Sequence, residues 1–347
     1  MWWGKTLKMV RNISLDIAKG VLILLVVIGH GFQYACGSNY GQSGLFFINP
    51  IYRAIYMFHM PLFMLISGYL FFYSNQKGFL YVLKTKFKTI IIPYITYVVI
   101  LFLSSIIFND VDMGGYRLLV NEFWFLPSLF MNCVIIIIVT YFCKGKTILL
   151  LSSLIINIAL HFVSKYLPAT YVFMFSCFLT GFFYNMYIGK SLTINKPNFL
   201  ILFCCTLILF VCYYNFHHDI YVYTTGTCIW RDGYISLKHC CIDLQRYVVG
   251  VIGSLCFMVY ISFYRNLPLK IIDLLCRLGK YSLAIYGLSN LLFYIYRHIY
   301  DRALIKVEEN YWLPLVLSVF FIVIIYMFLE KCTRYNTLRK LLGIRDL

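Results

Sequence analysis

The chain has 347 residues, of which 62% are hydrophobic, 19% aromatic and only 12% charged. Soluble domains carry about 25% charged residues, so a soluble fold is excluded and the chain reads as an all-α, polytopic integral membrane protein. Its 30 Lys+Arg outnumber 13 Asp+Glu, but the basic residues are scattered through alternate loops between apolar runs, a pattern that points to no nucleic-acid partner and to a lipid bilayer instead.

With about 17–25 apolar residues as the length of one span, about ten transmembrane helices are expected, at roughly 13–36, 49–74, 87–108, 122–143, 147–164, 169–188, 199–216, 244–264, 281–300 and 312–331. The first is too long, and lacks the small-residue cleavage site, for a removable signal peptide, so it is read as retained. One set of loops holds most of the lysines and arginines and the other holds most of the acids, which puts both termini in the cytoplasm. An even number of spans agrees. The longest connection, about 216–243, is then external, and residues from about 332 to 347 form a cytoplasmic tail of a single membrane domain, 1–347. Two readings of the external loop are open, a solvated lid or a sugar-contacting surface rich in Tyr, Thr, His and Trp. The 13 cysteines sit mostly in apolar runs and show no zinc-ligand spacing, so no metal is expected. Cys228, Cys240 and Cys241 share the external loop, where a disulfide is one outcome.

The first span carries Asp16, Lys19 and His30 in an otherwise apolar run. Ionisable groups cost about 2.5–3.5 kcal/mol at a bilayer centre on insertion scales, so they mark function by default. Lys19 and His30 are eleven residues apart; at about 100° per residue they lie within roughly 20° of each other on one helix face, about 16 Å apart along the axis. Asp16 falls on the same stripe, either as a helix cap or as a partner for Lys19. The second span brings Arg53 near its external end and His59 deeper, two residues before Pro61, which should kink the helix. Ser67-Gly68 invites close approach by another helix. His59 and His30 have comparable depths in antiparallel neighbours and could share a cavity. Before the third span, Lys84, Lys86 and Lys88 either set topology or, beside a helix N-terminus, bind phosphate. The fourth opens with Trp124 and Pro127, an aromatic belt or a sugar-stacking surface.

Taken together, the runs LDIAKGVLILLVVIGH, FHMPLFMLISGYLFF, KFKTIIIPY, FWFLPSLF and LGKYSLAIYGLS, in that order, resemble the membrane acyltransferase-3 family, and within it the fucose 4-O-acetylase-like sugar O-acetyltransferases. They cover residues 15 to about 290. The family pattern of Arg or Lys, ten intervening residues and then His is matched by Lys19 and His30; the FHMPLF–SG block runs from Phe58 to Gly68; the basic stretch before a proline is matched by Lys84, Lys86 and Lys88. One departure is plain: members often end the last motif with His, and Ser289 stands there.

The resemblance implies an acyl-CoA-dependent O-acetyltransferase in the bacterial cell (inner) membrane, with acetyl-CoA as donor and a polysaccharide or lipid-linked glycan as acceptor on the far side. An imidazole can take a hydroxyl's proton near neutral pH, so His30 is expected as general base, with a covalent acetyl-imidazole as the rival route. His59 would orient the acceptor or stabilise the oxyanion. Lys19, three turns nearer the cytoplasm and fixed by Asp16, would hold the CoA phosphates or pantetheine, with Lys84, Lys86 and Lys88 adding charge. Arg53 and Trp124 would meet the sugar. A multi-span transporter or lipid-linked sugar flippase would use the same intramembrane His/Lys/Asp cluster differently.

Overall fold

Apolar runs that must satisfy their own backbone in lipid fold as helices, and among the described residues every regular element of the computed structural model is helical. The structure describes residues 12–35, 49–108, 122–162, 168–189, 192, 198–217, 220–222, 234–302 and 312–344. In chain order the elements are α1 (Ile13–Tyr34), α2 (Pro50–Tyr56), α3 (His59–Asn75), α4 (Phe79–Lys86), a π-helical turn (Phe87–Ile91), α5 (Ile92–Ile107), α6 (Phe125–Phe142), α7 (Lys146–Phe162), α8 (Ala169–Tyr187), α9 (Phe199–Asn215), α10 (Leu237–Ile261), a 3-10 turn (Ser262–Asn266), α11 (Leu269–Lys280), α12 (Ser282–Arg302), α13 (Trp312–Cys332) and α14 (Asn336–Leu342). Six stretches among these are long and apolar enough to cross a membrane: α1, Pro50–Asn75, Phe79–Ile107, α6, α10 and α13. Helices α7 and α9 are apolar but shorter, and α8 and α12 occupy the two other expected segments.

Four boundaries depart from the sequence reading. The second span is two helices, α2 and α3, interrupted at Met57–Phe58. The break lies four residues before Pro61, where the proline ring collides with the carbonyl and no N–H answers it. The third span starts earlier, at Phe79, and passes through the π-turn before Pro93. Lys84 and Lys86 therefore end α4 and Lys88 lies in the turn, with the Phe87 N–H bonded back to Leu83 and Lys84 carbonyls. No helix N-terminus adjoins them, so the orphan N–H groups expected for phosphate are already used. Helix α10 begins at Leu237, capped by Ser236 Oγ on the His239 N–H at 3.1 Å, which shortens the expected 216–243 loop; residues 218, 219 and 223–233, Cys228 among them, lie outside the described residues. Cys240 and Cys241 are free and sit on this helix. The expected tail includes α14, whose Leu342 is buried and accepts a 2.9 Å hydrogen bond from the Tyr97 hydroxyl through its carbonyl.

The chain divides into two compact units. The first, Met1–Ser14, Met57–Phe87 and Ser128–Asn266, centres on α3 against α8. A Cβ on Gly68 would come within 2.0 Å of the Phe178 carbonyl oxygen, and one on Gly181 within 1.9 Å of that of Leu65. The two backbones therefore touch at reciprocal glycines, the small-residue packing that holds helices together where lipid competes for apolar contact. Asn185 Nδ2 adds a 2.8 Å bond to the Tyr69 carbonyl. Helix α10 closes the other side, with Gly250 against the Pro61 ring and Ser254 Oγ donating at 3.4 Å to the Phe58 carbonyl, which also accepts the Leu62 N–H at 2.9 Å. Arg246, 3% exposed, donates to the Ile220 carbonyl at 2.6 Å and pairs with Asp243.

The second unit, Leu15–Tyr56, Lys88–Pro127 and Leu267–Leu347, is built round α1. A Cβ on Gly20 would meet the Leu275 carbonyl oxygen at 2.1 Å, and one on Gly279 the Asp16 carbonyl oxygen at 2.0 Å, so α1 and α11 also cross backbone to backbone. Near its other end, Ser318 Oγ of α13 donates to the Val27 carbonyl at 3.2 Å and fills the space beside Gly31.

Overpacking a closed core costs about 1–3 kcal/mol, and here the obstacle is backbone, which cannot swing aside. Gly181→Val is expected to lower the Tm of the detergent-solubilised protein by at least that equivalent, whereas Cys204→Ala, on the exposed face of α9, leaves it unchanged. Thermal unfolding followed by size-exclusion chromatography reads both, and an unchanged Tm for Gly181→Val would refute the close crossing.

Candidate active site

Helix α1 starts where Asn12 Oδ1 accepts the Ser14 N–H at 3.0 Å, which is the N-cap bond. The cap is Asn12 and not Asp16. One turn on, Asp16 instead accepts from Lys19: Nζ stands 2.8 Å from Oδ1, with both side chains about one-fifth exposed, 20% and 19%. The pair sits beside the α1–α11 crossing, since the Asp16 carbonyl is the atom Gly279 approaches. Of the site residues expected from sequence, these two are in direct contact.

His30 lies three turns further along. Its ring is flanked by Tyr34 at 5.9 Å between centroids, and by Tyr286 and Phe293 of α12 at 6.4 Å each. Its Nδ1 is buried and has no hydrogen-bond partner among the described residues. Just before it, Gly29 admits the Tyr56 ring of α2, and the Tyr56 hydroxyl reaches Gln33 Oε1 at 3.4 Å. This brings α2, with half-buried Arg53 one turn before Tyr56, to the level of His30.

A second cluster joins the same end of α1 to α12 through Glu122. The Tyr34 hydroxyl donates to Glu122 Oε2 at 3.3 Å. The Glu122 main-chain carbonyl accepts from the Tyr286 hydroxyl at 3.2 Å and from Asn290 Nδ2 at 2.9 Å. Arg297 sets its guanidinium 5.8 Å over the Tyr34 ring and 5.6 Å over that of Tyr294. Residues 286, 290, 293 and 297 follow one another at helical spacings of three and four, so α12 presents them on one face.

Trp124 is partly buried in the turn before α6, its ring 5.9 Å from that of Phe125. Ser289 is buried and donates to the Tyr286 carbonyl at 3.1 Å; it carries no ring in the family's histidine position. His59 is 2% exposed at the start of α3 in the first unit, whereas His30 is in the second. Lys84 and Lys86 belong to the first unit, with Lys86 Nζ 5.1 Å over the Phe71 ring, and Lys88 to the second. Among the described residues no three His, Cys, Asp or Glu side chains converge as metal ligands would.

Sequence reading missed Tyr34, Glu122, Tyr286, Asn290 and Arg297. In the sequence Glu122 and Arg297 stand at the ends of expected spans, where a charge reads as one of the loop charges that set topology. A usable signal was present in part: Ser289-Asn290 is a polar pair inside an apolar helix, and Glu122 stands two residues before a tryptophan at a helix start.

The family model for the Acyltransferase domain matches residues 12–331. The Nodulation protein NolL of Mesorhizobium japonicum is 27% identical over 222 residues, covering 61% of this chain and 58% of the relative. The Nodulation protein NolL of Sinorhizobium fredii is 29% identical over 223 residues, covering 61% of this chain and 60% of the relative. The match thus spans about three-fifths of the length of these relatives. No solved structure matches the chain.

The Asp16–Lys19 pair is short and only about one-fifth exposed, so it should couple more strongly than an open surface pair, which gives about 0.2–1 kcal/mol. A double-mutant cycle of Asp16→Ala and Lys19→Ala on thermal stability in detergent is expected to return about 1 kcal/mol of coupling or more. Additive losses would mean the two groups do not hold each other.

Proposed function

The chain belongs to the Acyltransferase domain family, and from that premise we propose that it is a membrane O-acyltransferase that moves an acetyl group from cytoplasmic acetyl-CoA to a sugar hydroxyl of a cell-surface or exported polysaccharide. The proposed setting is the bacterial inner membrane, with ten spans and both termini cytoplasmic. The observation that carries the reading is the family match over 12–331, read with a first helix whose Lys19 is held by Asp16 at one end and whose His30 keeps an unpartnered ring nitrogen at the other.

In the proposed reaction His30 takes the proton of the acceptor hydroxyl as its oxygen attacks the thioester carbonyl. The new C–O bond forms, the C–S bond breaks, and the proton passes to the departing CoA thiolate. Lys19 would hold a phosphate or the pantetheine arm about 16 Å from His30 along the helix, a separation that a long flexible thioester arm is built to bridge. Asp16 keeps the ammonium in place. Lys84, Lys86 and Lys88 would contribute charge for the CoA phosphates, Arg53 and Trp124 contacts to the sugar, and His59 a second imidazole, each assigned on motif and position. A covalent acetyl-imidazole on His30 would make the transfer two-step and leaves the same residues in place.

General base catalysis is worth about 10²–10⁴-fold. His30→Ala is therefore expected to cut transfer of radiolabel from acetyl-CoA to glycan in membranes by at least a hundredfold at unchanged protein level, and undiminished labelling would overturn the assignment. Lys19→Ala should raise the KM for acetyl-CoA more than that for the acceptor, while Lys19→Arg keeps appreciable activity. A transporter or flippase would move its cargo and label no glycan at all.

The orientation has its own test. Lys77 and Tyr234 are exposed positions on opposite sides in the proposed topology. In a Cys-free background, an impermeant maleimide added outside the cell should label Tyr234→Cys and not Lys77→Cys. The reverse pattern would exchange donor and acceptor sides.

A further inference from the structure

Asn290 is 5% exposed, in the middle of α12. Its Nδ2 donates to the Glu122 main-chain carbonyl at 2.9 Å. A carbonyl only accepts, so this bond fixes which end of the amide is nitrogen. The same carbonyl takes the Tyr286 hydroxyl at 3.2 Å, and the amide is held from the side opposite its oxygen. Oδ1 is buried and has no partner among the described residues.

His30 Nδ1 is likewise buried without a hydrogen-bond partner among the described residues. The rings nearest His30 on α12 are Tyr286 and Phe293, each 6.4 Å away between centroids. Asn290 lies four residues after the first and three before the second, on the face that meets His30. One turn of α12 thus places a buried acceptor, without a partner among the described residues, on the same helix face as the two rings that flank His30. Leaving a buried acceptor unmet is costly, and a site built to receive a hydroxyl discriminates strongly against ligands that lack it.

We propose that Asn290 Oδ1 is a specificity contact for the sugar acceptor: it accepts a hydrogen bond from a hydroxyl next to the one that His30 deprotonates. The inference rests on the acyltransfer reading above. An acceptor-only atom cannot greet a phosphate or a thioester carbonyl, which offer no proton. It calls for O–H or N–H, and this end of α1 is the one away from Lys19, so a sugar hydroxyl is favoured over the pantetheine amides.

The test uses membranes holding the full chain, radiolabelled acetyl-CoA and a panel of methyl hexosides and methyl 6-deoxyhexosides, the best acceptor then being offered in each monodeoxy form. Removing one neighbouring hydroxyl should lower the wild-type acceptor kcat/KM at least tenfold with the KM for acetyl-CoA unchanged. Asn290→Leu should lower kcat/KM for the full acceptor by a similar factor and show no further loss with that deoxy form. Independent, multiplying losses would overturn the proposal, and a rise in the acetyl-CoA KM would assign the contact to pantetheine and overturn it as well. If Asn290→Leu does not accumulate, the wild-type series decides: equal rates with every neighbouring deoxy form refute the contact. Absence of transfer to any glycoside or to native glycan would instead refute the acyltransfer reading, and this inference with it.

Discussion

Two helices inside a bilayer gain nothing from leaving water, so α1 depends on close approach for its position. At Gly20 its backbone reaches that of α11, and at Gly31 it receives Ser318 of α13. Between those fixed points the helix can present Asp16 and Lys19 at one level and His30 at another without losing its register. A side chain at Gly20 would push the whole stripe away from α11, since the obstacle is the Leu275 carbonyl. The placement of every ionisable group on α1 follows from contacts made by residues that carry no chemistry themselves.

Polar groups in this protein sort into those that are answered and those that are not. Arg246, deep in the first unit, has a carboxylate and a carbonyl; Lys19 has Asp16; the Glu122 carbonyl has two donors. Such pairing is what allows charged and polar atoms to persist where water is scarce. Among the buried side-chain atoms without a hydrogen-bond partner in the described residues are His30 Nδ1 and Asn290 Oδ1, both in the second unit. Neither is a loose surface atom, and both belong to side chains held by neighbours packed on several sides. Fixed groups with unmet hydrogen bonds are what a site looks like before its ligand arrives.

Proline and glycine explain most of the irregularity. Pro61 has no N–H for the Met57 carbonyl four residues upstream, where the helix breaks between α2 and α3; Pro93 follows a π-turn. Both lie in spans whose motifs carry family resemblance, and π-turns recur near functional positions because they re-aim the side chains that follow. Here the turn consumes the N–H groups that would have made Lys84, Lys86 and Lys88 a helix-end phosphate site, so any pull these lysines exert on an anion is charge alone.

The sequence by itself determined that the chain is helical and membrane-embedded, roughly where its apolar segments fall (with the starts of the third span and of α10 placed too late), which family it belongs to, and that Lys19 and His30 share a helix face. Each of these follows from composition, length or a 3.6-residue period, all of which are local. Only the tertiary structure decided that Asn12 caps α1 and leaves Asp16 to Lys19, that Pro61 divides a span in two, and that the tail folds back as α14 under Tyr97. It also decided that Tyr34 and Tyr286 flank His30, and that Glu122, Arg297 and, through the Glu122 carbonyl, Asn290 are tied to those two tyrosines. Those residues are separated by as many as 263 positions, from Tyr34 to Arg297 (297 − 34), and no periodicity links them. What brings them together is the packing of α12 against α1, and such packing depends on shape and on the satisfaction of buried polar atoms, which a one-dimensional pattern does not encode.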